Sequence, residues 1–364
     1  MQYLQHAQRV DSKWQKRMLK KVTIRNFKSI KDAEIDLQNI NILIGANGAG
    51  KSNFIAFFDM VGALLNGDFA GFVQRQGGYE HLSYNGNETD QIIEGTLDFD
   101  DADTFHFNVN PTDNKFLIRD ADYNYNSQWL KDYDASSKNT SECCQQSEYI
   151  KNCTRYFTAY HFNDSRSLSK MCSGCSVSDN EVLRRDGSNL AACLFRLQQE
   201  RQRDFLYLES VIHSVVPDFK QFKFVENASD ERTVSLKWEQ TGTDTCFNGA
   251  YLSDGTLRFI ALTTLLLQPI ENATIIIDEP ELGLHPNAIN KLAAMVQRAA
   301  LKNQVIVATQ SVSLINRFQS EDIIFTDKGN STTLKRVAND DIKGWMADYS
   351  LGEIWEKGII GVQS

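Results

Sequence analysis

Ile42-Leu43-Ile44-Gly45-Ala46-Asn47-Gly48-Ala49-Gly50-Lys51-Ser52 decides the fold. Its apolar start reads as a buried strand, its middle as a glycine-rich loop, and Asn53 to Leu65 as the helix that follows. The loop has the G-x-x-x-x-G-K-[ST] spacing of a phosphate-binding P-loop. Glycines let successive backbone N–H groups turn inward, and the helix adds the positive end of its dipole. Asn47, Gly48, Ala49, Gly50, Lys51, Ser52 and Asn53 are therefore the candidate nucleotide cradle. Lys51 suits the β- and γ-phosphates, and the Ser52 hydroxyl suits Mg²⁺.

The chain around this stretch has 364 residues, of which 41% are hydrophobic, enough for one large core or two modest lobes. A formal net charge of −9 argues against broad nucleic-acid affinity, although a local basic groove is compatible with it. No run of eighteen apolar residues exists, so no membrane span is expected. Residues 1–18 read as an N-terminal arm or extension, rich in Lys and Arg and without the apolar segment of a secretory signal. Seven cysteines in a chain this long fit a reducing compartment, the cytoplasm, rather than a disulfide scaffold. Cys172 and Cys175 form a C-x-x-C, with Cys143, Cys144 and Cys153 upstream. The irregular spacing favours free thiols in a surface insert over a zinc site.

Three short strands, Lys21–Phe27, Ala33–Leu37 and Ile40–Ile44, lead into the P-loop and suggest one open sheet whose edge forms first. Ile92–Phe99, Phe105–Val109 and Lys115–Arg119 read as an antiparallel layer. Residues 120–178 form a variable insert, polar and Cys-rich, interrupted by an apolar strand at Tyr156–Phe162. Residues 179–250 read as a lobe of helices and strands, with one or two helices between Leu190 and Val216. In residues 251–364, strands alternate with helices, as in a mainly parallel sheet. There Leu252-Ser253-Asp254-Gly255-Thr256 opens an apolar helix, and Thr274–Asp278 reads as a buried strand running into Glu279. Pro286 suits a helix N1 position, and Gln310 follows the strand Asn303–Thr309.

Taken in this order, the P-loop, the Leu252–Thr256 signature, the Ile275–Glu279 Walker B strand and the D-loop-like Glu281–His285 resemble an ABC-class ATPase head of the SMC/RecF-like branch. More closely, the chain resembles stand-alone bacterial ATPases of anti-phage defence operons of the Septu and retron type. The segments Tyr160–Asp164, Asp186–Leu190 and Ser350–Trp355 belong to the likeness, which runs from about Leu19 to Gly361. It implies an α/β fold, with a mixed P-loop sheet, an antiparallel β-subdomain and a helical lobe, in one ATPase domain over residues 19–364.

The resemblance also implies ATP and Mg²⁺ as cofactors, and two composite sites in a head-to-head homodimer or higher homo-oligomer. Lys51 and Ser52 of one chain would hold the triphosphate, while Ser253 and Gly255 of the other would cover its γ-phosphate. A small polar residue opening a helix presents N–H donors to an anion, so this role is physically sound. Asp278 would hold Mg²⁺, and Glu279 would orient or deprotonate the attacking water. The position of Gln310 usually carries a histidine in this group. Glutamine donates a hydrogen bond but carries no charge, so slow hydrolysis is expected. For the Q-loop, Gln74, Gln76, His161 and Asn163 all stand as alternatives. The chain has no nuclease constellation of its own, so a separately encoded effector nuclease is the partner that the likeness implies. The competing reading is a RecF-like repair ATPase with nucleic acid as partner and a groove of Lys21, Arg25, Lys28 and Lys31.

Overall fold

A computed structural model of the chain describes residues 18–84, 92–99, 104–112, 115–125, 128–130, 157–162, 165–227, 230–243 and 245–359. The strands, in chain order, are β1 (Leu19–Phe27), β2 (Ile30–Asp36), β3 (Ile40–Ile44), β4 (Ile93–Phe99), β5 (Thr104–Thr112), β6 (Lys115–Tyr125), β7 (Gln128–Leu130) and β8 (Ala159–Tyr160). They continue with β9 (Cys175–Ser176), β10 (Phe219–Asn227), β11 (Asp230–Gln240), β12 (Cys246–Asn248), β13 (Thr274–Asp278), β14 (Gln304–Ala308), β15 (Ile323–Lys328) and β16 (Thr332–Arg336).

The nucleotide sheet has the order β16-β15-β3-β14-β13-β8. All its strands run parallel except β16, which pairs antiparallel with β15 at one edge. The apolar runs of its strands are explained by burial on both faces. Leu43, Ile276, Ile306 and Ile324 face one core, while Ile42, Ile44, Ile275, Ile277, Val305, Val307 and Ile323 face the other.

The first core is shared with an antiparallel sheet of order β2-β1-β4-β5-β6-β7. Between the two sheets lies the P-loop helix Lys51–Leu65, whose Phe57 ring stacks on Phe107 at 6.0 Å and whose Phe58 meets Phe157 edge-on at 5.3 Å. Each such ring contributes roughly 2–3 kcal/mol by burial. The one-sheet expectation for the first three strands is therefore corrected. β1 and β2 belong to the antiparallel sheet, and only β3 enters the nucleotide sheet. The alternating burial of β1 and β2 against the continuous burial of β3 is the physical sign of that split.

The second core joins the nucleotide sheet to the helices Leu190–Glu200, Gln202–His213 and Asp254–Leu267 and to the β10-β11-β12 sheet, where β9 also pairs with β11. The apolar segment expected at Tyr156–Phe162 contributes only β8, and not to a surface insert: it is the edge of the nucleotide sheet, parallel to β13. Tyr156 lies outside the described residues, as does most of 120–178. Cys172 and Cys175 carry free thiols, and among the described residues no group of three or more His, Cys, Asp or Glu is placed to hold a metal. Cys143, Cys144 and Cys153 are outside them. No helix among the described residues is long and apolar enough to cross a membrane.

Candidate functional site

The C-terminal ends of β3, β14, β13 and β8 lie side by side along one edge of the parallel sheet. Ligands of open α/β sheets bind at that edge, because the loops leaving adjacent parallel strands open there. β3 delivers the P-loop, β14 delivers Gln310, β13 delivers Asp278 and Glu279, and β8 delivers His161.

In the P-loop, Gly50 sits at φ 108 as the residue preceding the helix, a conformation that glycine reaches without a Cβ penalty. A Cβ there would also overlap the side chain of Thr332. Thr332 supports the loop from behind: its hydroxyl donates to Ala49 O at 3.1 Å and meets Ser29 Oγ at 2.7 Å. The Asn53 amide donates to the same Ser29 Oγ at 2.6 Å, which ties it to the loop's support. Asn47, Gly48 and Ser52 are exposed at the mouth.

Lys51 is 5% exposed, and its ammonium donates to Gly45 O at 2.7 Å and Ala46 O at 3.0 Å. Burial lowers its pKa, opposed by the nearby carboxylates of Glu279, Asp278 and Glu281. Those carboxylates have the opposite problem. Burial raises the pKa of Asp278; His161 and Lys51 pull it down, while Glu279 and Glu281 push it further up. Crowded, half-buried acids favour a cation among them.

Glu279 adopts a left-handed backbone with φ 48, and its N–H donates to Ala308 O at 2.9 Å. Such a conformation in a residue with a Cβ costs on the order of 1 kcal/mol and is concentrated at functional sites. Gln310 Nε2 donates to Glu279 Oε1 at 3.0 Å. Gln310 is held in turn by Glu281, whose Oε1 accepts from the Gln310 N–H at 3.1 Å and from Thr309 Oγ1 at 2.6 Å. The sequence reading missed this role of Glu281. Its position two residues past Glu279, in the D-loop, was the only available signal.

Ser253 caps the helix Asp254–Leu267, its Oγ accepting from the Thr256 N–H at 3.2 Å. Ser253 and Asp254 are exposed. Gly255 packs so closely on Gly283 O of the D-loop that a Cβ would overlap it. Arg258 on the same helix donates from Nε to Phe162 O at 3.0 Å and from Nη1 to Leu282 O at 3.0 Å. The signature helix, the D-loop and the segment after β8 are thereby fastened together. Arg258 also escaped the sequence reading, since an arginine in an apolar helix carries no motif.

Of the four Q-loop alternatives, the topology brings His161 to the acidic edge, with Nδ1 3.8 Å from Asp278 Oδ2. Gln76 instead accepts from Lys28 Nζ at 2.8 Å, Gln74 is exposed, and Asn163 lies outside the described residues. Lys28, Asn53, Gln76 and Tyr84 line a groove of about 590 Å³ beside the P-loop helix. Of the basic residues on the early strands, Lys21 pairs with Glu34 at 2.6 Å and Arg25 with Glu94 at 3.1 Å. A second cavity of about 390 Å³, between the helix Leu190–Glu200 and Gln268–Glu271, contains none of these motif residues.

Residues 40–316 match the family described as "AAA domain, putative AbiEii toxin, Type IV TA system". The chain is also 24% identical over 372 residues to the Old nuclease of Escherichia phage P2, a match covering 87% of the chain and 60% of that protein's length. Among solved structures, it resembles the Smc head bound to the C-winged helix domain of ScpA, with a TM-score of 0.59, 16% identity and coverage of 89% of this chain and 99% of that one. It also resembles an Smc head domain with an extended coiled coil, bound to the C-terminal domain of ScpA derived from Pyrococcus furiosus, with a TM-score of 0.53, 13% identity and coverage of 91% and 99%. The fold is that of an SMC-type ABC ATPase head.

Proposed function

Because the chain belongs to this AbiEii-type AAA family and has an SMC-like ABC ATPase head, we propose that it is an ATP-driven switch. ATP closes two copies head to head, and slow hydrolysis lets them part. The observation that carries this reading is a solvent-exposed helix start in a chain that also holds a P-loop sheet edge. The P-loop, Asp278, Glu279 and Gln310 converge on one sheet edge, whereas the Ser253 helix opens to solvent. A helix start of that kind is an anion receptor, and a second copy supplies the anion.

In this reading the roles are as follows. Lys51 exchanges its bonds to Gly45 O and Ala46 O for β- and γ-phosphate oxygens. Ser52 and Asp278 would hold Mg²⁺, and the burial of Asp278, with Glu279 and Glu281 nearby, suits a cation there. When bound, Mg²⁺ neutralises charge that develops on the phosphate oxygens. Glu279 orients the attacking water and accepts its proton, and Gln310 fixes the carboxylate in that attitude. Ser253 and the N–H groups that follow it cover the γ-phosphate of the partner copy. The groove beside Asn53 takes the base and ribose.

The output of the switch is control of a separately encoded effector nuclease in defence against phage. Kinship to a protein named as a nuclease, of which the match covers 60%, supports a link to nuclease action. The acidic pairing of Lys21 and Arg25 gives no support to the DNA-groove reading. Glu279→Gln tests the proposal: on light scattering with ATP and Mg²⁺ it shifts from its nucleotide-free state to a larger, closed assembly. An unchanged mass despite bound ATP overturns it.

A further inference from the structure

We propose that the cavity between the helix Leu190–Glu200 and the Gln268–Glu271 segment binds a small zwitterion, an α-amino acid with an apolar side chain. Its volume is about 390 Å³, within the range of small-molecule pockets. It lies at the far end of the signature helix, whose 14 residues put it about 21 Å from Ser253. The cavity is thus separate from the nucleotide edge, and its occupant does not compete with ATP.

The walls suit an apolar side chain. Cys193 is 9% exposed and Leu197 6%, and the partly buried Ile270 comes from the facing segment. Burial pushes the Cys193 thiol up to about 12, so it stays neutral and serves as wall, not nucleophile. Thr264, buried in the same lining, donates its hydroxyl proton to Ile260 O at 2.8 Å.

The mouth carries charge of both signs. The helices Leu190–Glu200 and Asp254–Leu267 both end here, and their last carbonyls set a negative potential that favours a cation. The carboxylates of Glu181, Glu200 and Glu271 reinforce it. Arg196 Nε donates to Glu200 at 2.8 Å, and Lys302 Nζ to Glu271 at 2.5 Å. Arg201 differs from these matched pairs. It stands at the break between the helices Leu190–Glu200 and Gln202–His213, where its N–H donates to Leu197 O at 2.9 Å. Its side chain is exposed and makes no hydrogen bond among the described residues. A guanidinium of that kind forks onto a carboxylate. Gln268 Nε2, in the same lining, is buried without a partner among the described residues, and a small turn of the amide toward a polar head relieves it.

An amino acid meets all these demands in one molecule. Its ammonium answers the helix ends and the carboxylates, its carboxylate answers Arg201, and its side chain fills the walls. A nucleotide or other polyanion fits badly, because three carboxylates and two helix C-termini repel it.

Calorimetric titration of the nucleotide-free full chain with L-leucine is the test. Saturable binding is expected, about tenfold or more tighter than that of isocaproate or isoamylamine, which each keep the side chain and one of the two charged heads. Arg201→Gln should weaken L-leucine binding by about tenfold and leave isoamylamine unchanged. Absence of saturable L-leucine binding overturns the proposal. Equal affinity for all three compounds, the mark of mere apolar filling, also overturns it, as does L-leucine binding indifferent to Arg201→Gln. Lys51→Ala strikes only the nucleotide reading and should leave L-leucine binding unchanged, so the two failures are distinguishable.

Discussion

Gln310 Nε2 donates to Glu279 Oε1 at 3.0 Å, which couples the end of β14 to the strained residue just past β13. A neutral donor thus fixes the attitude of the carboxylate that we propose faces the attacking water. Gln310→Ala should lower the ATP turnover rate by roughly tenfold to a hundredfold through misplacement of Glu279, with ATP affinity little changed. Steady-state phosphate release and equilibrium nucleotide binding separate the two effects. A fall in affinity with turnover intact would assign Gln310 to binding instead.

Lys51 donates to carbonyls of its own loop, bonds that a bound phosphate would replace with charge-assisted ones. Lys51→Ala should weaken ATP binding by at least about tenfold, since each bond to a charged group is worth about 1.5–3 kcal/mol. Calorimetric titration with ATP and Mg²⁺ reads this directly.

Burial pushes the Glu281 carboxyl above its ordinary pKa, against the pull of its hydrogen bonds from Thr309 and Gln310. An acid whose folded pKa is raised stabilises the fold fully below its unfolded pKa, and that contribution is lost as pH rises through the folded value. Above that value Glu281 therefore subtracts from stability, and Glu281 Oε2 has no partner among the described residues. Glu281→Gln should raise the melting temperature of the nucleotide-free protein at pH 7.5. The gain should shrink as pH falls toward the ordinary glutamate range. Thermal melts from pH 4.5 to 8 check the sign.

Gly255 lies against Gly283 O with no space for a methyl group. Gly255→Ala should cost about 1–3 kcal/mol of stability by overpacking. It should also loosen the fastening between signature helix and D-loop. Denaturant unfolding measures the first effect, and ATP-dependent assembly at a temperature where the variant stays folded measures the second.

Much of this site was legible in the sequence because its chemistry is local. The glycine spacing before Lys51, the apolar run before Asp278 and Glu279, and Pro286 at the start of a helix each express a rule that holds within a few residues. What escaped depends on residues distant in the chain. Thr332 supports the P-loop from 283 positions away, and Arg258 reaches Phe162 across 96. The partition of β1 and β2 away from β3 was hidden for the same reason, because strand pairing is long-range. The choice among the Q-loop alternatives needed the β8–β13 register, which no periodicity in Tyr156–Phe162 encodes.

The central claim is that each ATP is enclosed by Lys51 of one copy and Ser253 of another. Mixing two inactive variants, Lys51→Ala and Ser253→Arg, tests it most directly. In a symmetric dimer, half of the re-assorted pairs carry one wholly intact site, so an equimolar mixture should recover about a quarter of the wild-type ATP turnover. If both residues served a site within one chain, every site in the mixture would lack one of them. Turnover that stays at the level of the separate variants, after subunit exchange has been verified, would contradict the account.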